Sequence, residues 1–371
     1  MVNIDINNGR TTLQVEPGRP LLATLAAENL FMPSACGGNG ICSTCKCQVP
    51  AGGGDLQPAE LRLLKKPEQE RGTRLACQVP VRENMSVILP SFAFDARRWP
   101  CTVVSNRNVT TFIKELVLAL PAGEPLCFRP GGYIQIDIPP HNIPFTAFDI
   151  PETYRGDWEK MNFMKLSSVA TAPTFRAYSM ANHPAEGNHI ILNVRISTPP
   201  GGPGAPPGIA SSYLFSLRPG DPLTVTGPFG DFFIKETERE MVYIGGGAGM
   251  APLRSHLFHL FHTQHTQRKV TFWYGARSRR EIFYEDDFRA IAHKNPNFSF
   301  NIALSEPQPE DQWSGPVGLI HQVVLNQYLA QHPTPAEIEY YLCGPPMMIR
   351  AVTKMLTTLG VKPDMIVFDQ F

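Results

Sequence analysis

The chain has 371 residues, 43% of them hydrophobic, and its 33 Lys and Arg are matched by 33 Asp and Glu. That length predicts two or three domains, each able to bury its own core, and the zero net charge argues against a nucleic-acid partner, which would need a basic surplus. No signal peptide and no apolar run of about 18 residues is visible, so a soluble chain is expected, and eight sparse, clustered cysteines suit a reducing compartment better than a disulfide framework.

Residues 2–6 (VNIDI) alternate apolar and polar, Asn7-Asn8-Gly9 offers a turn, and TTLQV resumes the alternation, which predicts a β-hairpin. Pro20 opens a helical stretch, PLLATLAAEN. The next segment, CGGNGICSTCKC, sets Cys36, Cys42 and Cys45 in a C-x5-C-x2-C spacing, with Cys77 following in RLACQV. Three clustered thiols plus one distant thiol, in a glycine-rich loop that can wrap closely round inorganic sulfide, is the ligand pattern of a plant-type [2Fe-2S] cluster. The first gap is one residue longer than the usual C-x4-C. Structural zinc is the alternative, but it prefers two C-x2-C pairs, and none surrounds Cys77. Cys47 is read as a packing or hydrogen-bonding neighbour, not a ligand. A strand (CKCQV), a turn (AGGGD), a short helix (PAELRLLK), a strand carrying Cys77 and a last strand (MSVILP) complete a unit of about ninety residues.

The pattern breaks around SFAFDARRWP, and the boundary is placed near residue 94. From there to about 233, FIKELVLAL, GGYIQIDI, HIILNVRI and PLTVTGPFG read as short strands of an antiparallel barrel. Residues 141–175 interrupt them with an aromatic and charged insert, read equally as a docking surface or as a cap over a bound group; residues 198–208, TPPGGPGAPPG, read as a loop. MVYIGGGAGMAPLRSHLFHLF then gives a buried strand, a glycine turn and an amphipathic helix, the opening of a βαβ unit whose helix N-terminus suits a dinucleotide pyrophosphate. KVTFWYGARS and EYYLCGPPMM supply further strands. Three domains are expected, at residues 1–93, 94–233 and 234–371.

The first unit resembles the β-grasp fold of plant-type ferredoxins. Arg176-Ala177-Tyr178-Ser179 and PPGIASSYL resemble the flavin signatures of the ferredoxin–NADP reductase superfamily. That resemblance implies FAD held by Arg176, Tyr178, Ser179, Gly208, Ser211 and Ser212. The residue types suit that role, with a guanidinium and helix-start hydroxyls for pyrophosphate, an aromatic face for the isoalloxazine, and a hydroxyl for its N5 edge. Gly246, Gly247, Gly249, Met250 and Pro252 resemble the superfamily's GGxGxxP nicotinamide loop, and CGPPMM its CGPxxM motif, which places Cys343, with Gly344 and Pro345, beside the reacting nicotinamide. Tyr178, Ser179 and Cys343 are the expected catalytic residues, together with Phe371 as a C-terminal aromatic that stacks on the flavin. Phe368 is its alternative. Arg277 and Ser278, with Arg279 and Arg280, are candidates for the nucleotide's ribose end, leaving NADH against NADPH open from the residues alone.

Over essentially its whole length, through stretches such as CGGNGICSTC, FRPGGYIQI, RAYSMANHP and IGGGAGMAPLRSH, the chain resembles the F-subunit family of the bacterial Na+-translocating NADH:quinone oxidoreductases. The resemblance implies an α+β and α/β multidomain protein: a β-grasp ferredoxin, a flavin barrel and a parallel-sheet nicotinamide domain. It implies NADH, FAD and a [2Fe-2S] cluster, passage of electrons to other membrane subunits and indirectly to quinone, and a place on the cytoplasmic side of the inner membrane. That family carries an N-terminal transmembrane helix, absent from this chain and expected to have been removed. Two alternatives remain: a soluble NAD(P)H-dependent reductase of a multicomponent oxygenase, and a redox sensor without turnover.

Overall fold

A computed structural model describes residues 1–199 and 205–369. Strand β1 (Val2–Ile6) turns through Asn7, Asn8 and Gly9, all at positive φ, into β2 (Thr11–Val15). Helix α1 (Leu21–Ala27) starts after Pro20 and buries Leu21, Leu22 and Leu25. Then follow β3 (Lys46–Ala51), α2 (Pro58–Leu63), α3 (Lys66–Glu70), β4 (Thr73–Leu75) and β5 (Met85–Ile88). The sheet order is β2-β1-β5-β3-β4, with β1 and β5 parallel and the other pairs antiparallel. The expected strand around Cys77 ends at Leu75, so Cys77 lies in the turn beyond β4. Helix α4 (Phe92–Asp95) sits at the expected boundary, with Ala93 in the core beneath the first sheet and Ala96 just beyond packing with Phe31 and Phe229. That joint is a packed corner.

The barrel is built from β6 (Arg97–Thr110), β7 (Ile113–Ala119), β8 (Tyr133–Ile138), β11 (Thr174–Ser179), β12 (His189–Arg195) and β13 (Pro222–Phe229), in the order β11-β8-β13-β6-β7-β12, all antiparallel. A bridge from Met180 to Leu192 closes the ends. Between β8 and β11 come β9 (His141–Pro144), α5 (Glu152–Lys160) and β10 (Ser167–Ala170). This insert is not a loose surface element. Trp158 is fully buried, its indole N–H donates to the Thr111 carbonyl at 2.8 Å, and Phe145, Phe148 and Phe163 ring it. Helix α6 (Ile209–Ser216) precedes β13.

The last sheet is wholly parallel, β16-β15-β14-β17-β18, from β14 (Met241–Gly246), β15 (Val270–Ala276), β16 (Phe298–Leu304), β17 (Glu339–Cys343) and β18 (Ile366–Asp369). Helices α7 (Met250–Phe258) and α8 (Glu285–Lys294) contribute to one core, and α9 (Ile320–Gln327) and α10 (Pro346–Thr358) to another. Both faces are thus covered, which is why β14 and β17 are buried at every position.

Candidate functional site

The four cysteines come together as two pairs. Cys42 Sγ lies 3.2 Å from Cys36 Sγ, and the Cys45 thiol bonds Cys77. The bond from Cys42, outweighing burial and aided by the Ile41, Cys42 and Asn39 amides, holds the Cys36 thiol down at about 4; the bond from Cys45 lowers Cys77 to about 7. Among the described residues no three such ligands converge on one point, as a single zinc ion would need. Two pairs in a loop rich in N–H donors to sulfur do fit a two-iron cluster. Cys47 is buried in the core behind the loop and pushed up to about 12, chiefly by desolvation, as a packing residue would be.

Gly37 shows why this loop carries glycine. It stands at φ +67°, and a Cβ there would lie 2.3 Å from Arg176 Nη1 and 2.5 Å from the Phe175 carbonyl oxygen. The cysteine loop thus abuts strand β11 directly. Arg176 donates to Thr174 Oγ1 and the Phe175 carbonyl at this contact, at 2.9 and 2.7 Å. Tyr178 packs against the barrel core, and Ser179 Oγ donates to Asp369 Oδ2 at 2.8 Å, tying β11 to the end of β18. Sequence reasoning missed Asp369, since its partner is 190 residues away. Phe371 lies outside the described residues; Phe368 is half exposed on β18.

At the start of α6, Ser211 Oγ accepts from the Ser197 N–H at 3.1 Å and donates to the Gly208 carbonyl at 3.2 Å. Ser212 is fully buried, and its hydroxyl has no hydrogen-bond partner among the described residues. An orphaned hydroxyl in the first turn of a helix fits a site that takes an anionic group.

Between the barrel and the parallel sheet lies a cleft lined by Gly246, Gly247, Arg277 and Pro345 of the expected set. Gly249 is forced by contact: a Cβ there would sit 2.2 Å from the Cys343 carbonyl oxygen, so α7 starts hard against β17. Met250 and Pro252 are buried in that first turn of α7, and Ser278 does not reach the lining. Cys343 is fully buried, and burial raises its thiol well above the ordinary value, which keeps it uncharged. Gly344 sits between Met348 and the Gly246 backbone. The residue missed here is Arg195, at the last position of β12. It reaches from the barrel into the cleft, where a Cβ on Gly247 would stand 3.4 Å from its Nη1. Burial, then Arg277, lowers its pKa. Among the described residues neither Arg195 nor Arg277 forms an ion pair; both guanidiniums line one cleft, together with Glu281, whose charge partly opposes the lowering of the Arg195 pKa. Arg280, by contrast, pairs with Asp157 at 3.0 Å and bonds the Thr153 carbonyl, both on the insert.

Family models divide the chain in the same order. Residues 4–82 match a 2Fe-2S iron-sulfur cluster binding domain, residues 160–234 an oxidoreductase FAD-binding domain and residues 243–354 an oxidoreductase NAD-binding domain. Among solved structures, a cytochrome P450 reductase of Amycolatopsis superposes with a TM-score of 0.71 at 26% identity, covering 100% of this chain and 99% of that one. A ferredoxin reductase in carbazole 1,9a-dioxygenase gives 0.67 at 26% identity, covering 100% and 98%. The F subunit of the Na(+)-translocating NADH-quinone reductase of Klebsiella pneumoniae is 52% identical over 372 residues, covering 100% of this chain and 91% of that protein, and its Yersinia enterocolitica counterpart matches equally. With the three domains matched in this order and this identity along its whole length, the chain belongs to the F-subunit family of the Na(+)-translocating NADH-quinone reductases.

Proposed function

We propose that the chain is the electron-input subunit of a Na+-translocating NADH:quinone reductase, working at the cytoplasmic side of a bacterial inner membrane against membrane-embedded subunits. The observation that carries this is the position of β11: it touches the cysteine loop at Gly37 and the nicotinamide module through Ser179 and Asp369. Among the described residues no helix is long and apolar enough to cross a membrane; the relatives are named as one subunit of a Na(+)-translocating NADH-quinone reductase, and in this reading the quinone and sodium steps fall to the other subunits. Residues 1–93, 94–233 and 234–371 are taken as the cluster, flavin and nicotinamide domains.

When bound, FAD accepts hydride from NADH, and the [2Fe-2S] cluster carries electrons singly. The protein's own contribution is placement. Tyr178 offers a ring for stacking and Ser179 a hydroxyl at the reacting edge, while fully buried Cys343, next to Gly344 and Pro345, keeps an uncharged thiol beneath the nicotinamide side. Hydride transfer needs alignment and exclusion of water more than a proton shuttle, and fully buried Cys343 at the end of a fully buried strand supplies a dry wall. Ser212 and the amides at the start of α6 receive the flavin's pyrophosphate, with Arg176 as its cationic partner. Arg195 and Arg277 hold the dinucleotide's pyrophosphate from opposite modules. Arg280 is engaged by the insert, which favours NADH over NADPH.

An anaerobic NADH titration tests the reading: flavin bleaching and a reduced-cluster EPR signal should grow together. Bleaching without the signal would refute the electron path. The full-length likeness to oxygenase reductases supports a second reading, a reductase for a hydroxylase. Sodium-stimulated quinone reduction after reassembly with membrane subunits, against support of hydroxylation, separates the two.

A further inference from the structure

Gln135 lies on β8, one strand in from β11, and is 5% exposed. Its Oε1 accepts from the Ser34 N–H at 2.8 Å and its Nε2 donates to the Met32 carbonyl at 3.2 Å, both buried bonds to the chain just ahead of Cys36. These two bonds both cross about a hundred residues to the cluster module, and neither holds one barrel strand to another. The alternation of a strand puts Tyr133 on the same face as Gln135. Tyr133 is paired across to Ser179, packs with Phe31 and Phe229, and has its hydroxyl pKa raised by burial and then by Asp231, Asp369, Cys42 and Cys45. It therefore joins the Ser179 end of β11 to Phe31 of the cluster module. Phe175, on β11, packs into the core of the cluster module.

We propose that Gln135 is a positioning residue for flavin-to-cluster electron transfer, clamping the segment Met32–Ser34 so that the cysteine loop stays docked on β8 and β11. The step rests on the electron-input reading. One electron would leave the flavin reduced by NADH and enter the oxidised cluster, with no proton needed at the sulfurs; a second would follow once the external acceptor has emptied the cluster, and the proton that came with the hydride would pass from the flavin to solvent. Replacing Gln135 by Ala strands a buried N–H and a buried carbonyl that regain partners only if water enters, so the docked arrangement loses out to an opened one.

The test uses the holoenzyme with FAD and iron contents matched to wild type. In Gln135→Ala, hydrogen–deuterium exchange over residues 31–36 should rise while exchange in β14 and α7 stays at the wild-type level. In anaerobic stopped flow, flavin reduction by NADH should keep its rate and cluster reduction should slow roughly tenfold or more, the sensitivity expected of small misplacements, and become dependent on viscosity. Gln135→Glu, which keeps the acceptor for Ser34 but not the donor for Met32, should fall between. The cluster's EPR g values should not move. Unchanged exchange, or raised exchange with wild-type cluster reduction, would overturn the proposal, as would altered g values, which would make Gln135 part of building the cluster. A wild-type cluster that NADH cannot reduce would instead refute the electron-input reading, and the exchange measurement would still show whether Gln135 holds the loop.

Discussion

Arg74 offers a sharp test of how the cluster module is held. Its guanidinium makes two bonds to Glu60, at 2.9 and 2.8 Å, and three more to the carbonyls of Gly53, Gly54 and Asp55. Glu60 is fully buried and also accepts from the Leu75 and Gln57 amides. This one pair therefore binds α2, the glycine turn and the strand that leads to Cys77. Arg74→Met leaves the carboxylate with two amide donors and no counter-charge, which costs about 3–5 kcal/mol. A domain of this size stands on about 5–13 kcal/mol in all. At roughly 4–8 °C per kcal/mol, the cluster module should melt at least about 12 °C earlier. A thermal scan at fixed rate, following the cluster by visible circular dichroism and the flavin by fluorescence, should show the first transition moving and the second holding. A shift under about 4 °C, equivalent to about 1 kcal/mol, would refute the reasoning, since desolvating both charges would then cancel their attraction. Glu60→Gln with Arg74→Met should recover part of the loss because no lone charge remains.

The acid limb follows from the same group and from His256. Burial raises the Glu60 pKa, but Arg74 and the two amides outweigh it and leave the folded value below 4.5, so its contribution is complete above pH 4.5 and is lost as pH falls through the folded value. His256, stacked on Phe232, is lowered by burial to about 4 against an ordinary 6.5; the unfolded chain takes up the proton first, so stability should fall from pH 6.5 towards 4, and a flat melting temperature across that window would contradict this. Cys42→Ala should abolish the cluster by iron and sulfide analysis and leave NADH-to-flavin reduction intact; loss of both would contradict the modular assignment. Arg195→Ala, removing a charged hydrogen bond worth about 1.5–3 kcal/mol, should raise KM for NADH at least about tenfold at constant flavin content, measured with ferricyanide as acceptor. An unchanged KM would remove Arg195 from the nucleotide site. Ser212→Ala should stabilise the apoprotein by relieving an unpaired hydroxyl and weaken FAD in equilibrium dialysis; tighter FAD would overturn its place at the pyrophosphate.

What could be read from the residues was what is local. The glycine turn after MVYIGG and the alternation in HIILNVRI each act within a few residues, and each appears as expected. The alternation in HIILNVRI predicted a strand but carried no hint that Arg195 at its end reaches the cleft beside the parallel sheet. Asp369 and Gln135 were equally silent, because what matters about them is a partner about one or two hundred residues distant. The composition of the insert did not show how it is anchored: ETYRGDWEK is mostly charged, yet its single tryptophan is the centre of an aromatic cluster in the barrel. One large buried ring outweighs a polar helix surface in deciding where the segment goes.

Strand β11 is only six residues long, yet Phe175 belongs to the packing of one module, Tyr178 to that of a second, and Ser179 bonds a third. Its side chains alternate, so a one-residue insertion or deletion within it would exchange all of these allegiances at once. Natural recombination between relatives is constrained accordingly. A cluster module transplanted from a distant homologue would meet the wrong residue at position 175, and a transplanted nicotinamide module the wrong one at 179. Crossovers that succeed should therefore be those that carry this strand together with the matching residues of its neighbours, and chimaeras cut at the apparent domain boundaries alone should fold as modules yet couple poorly.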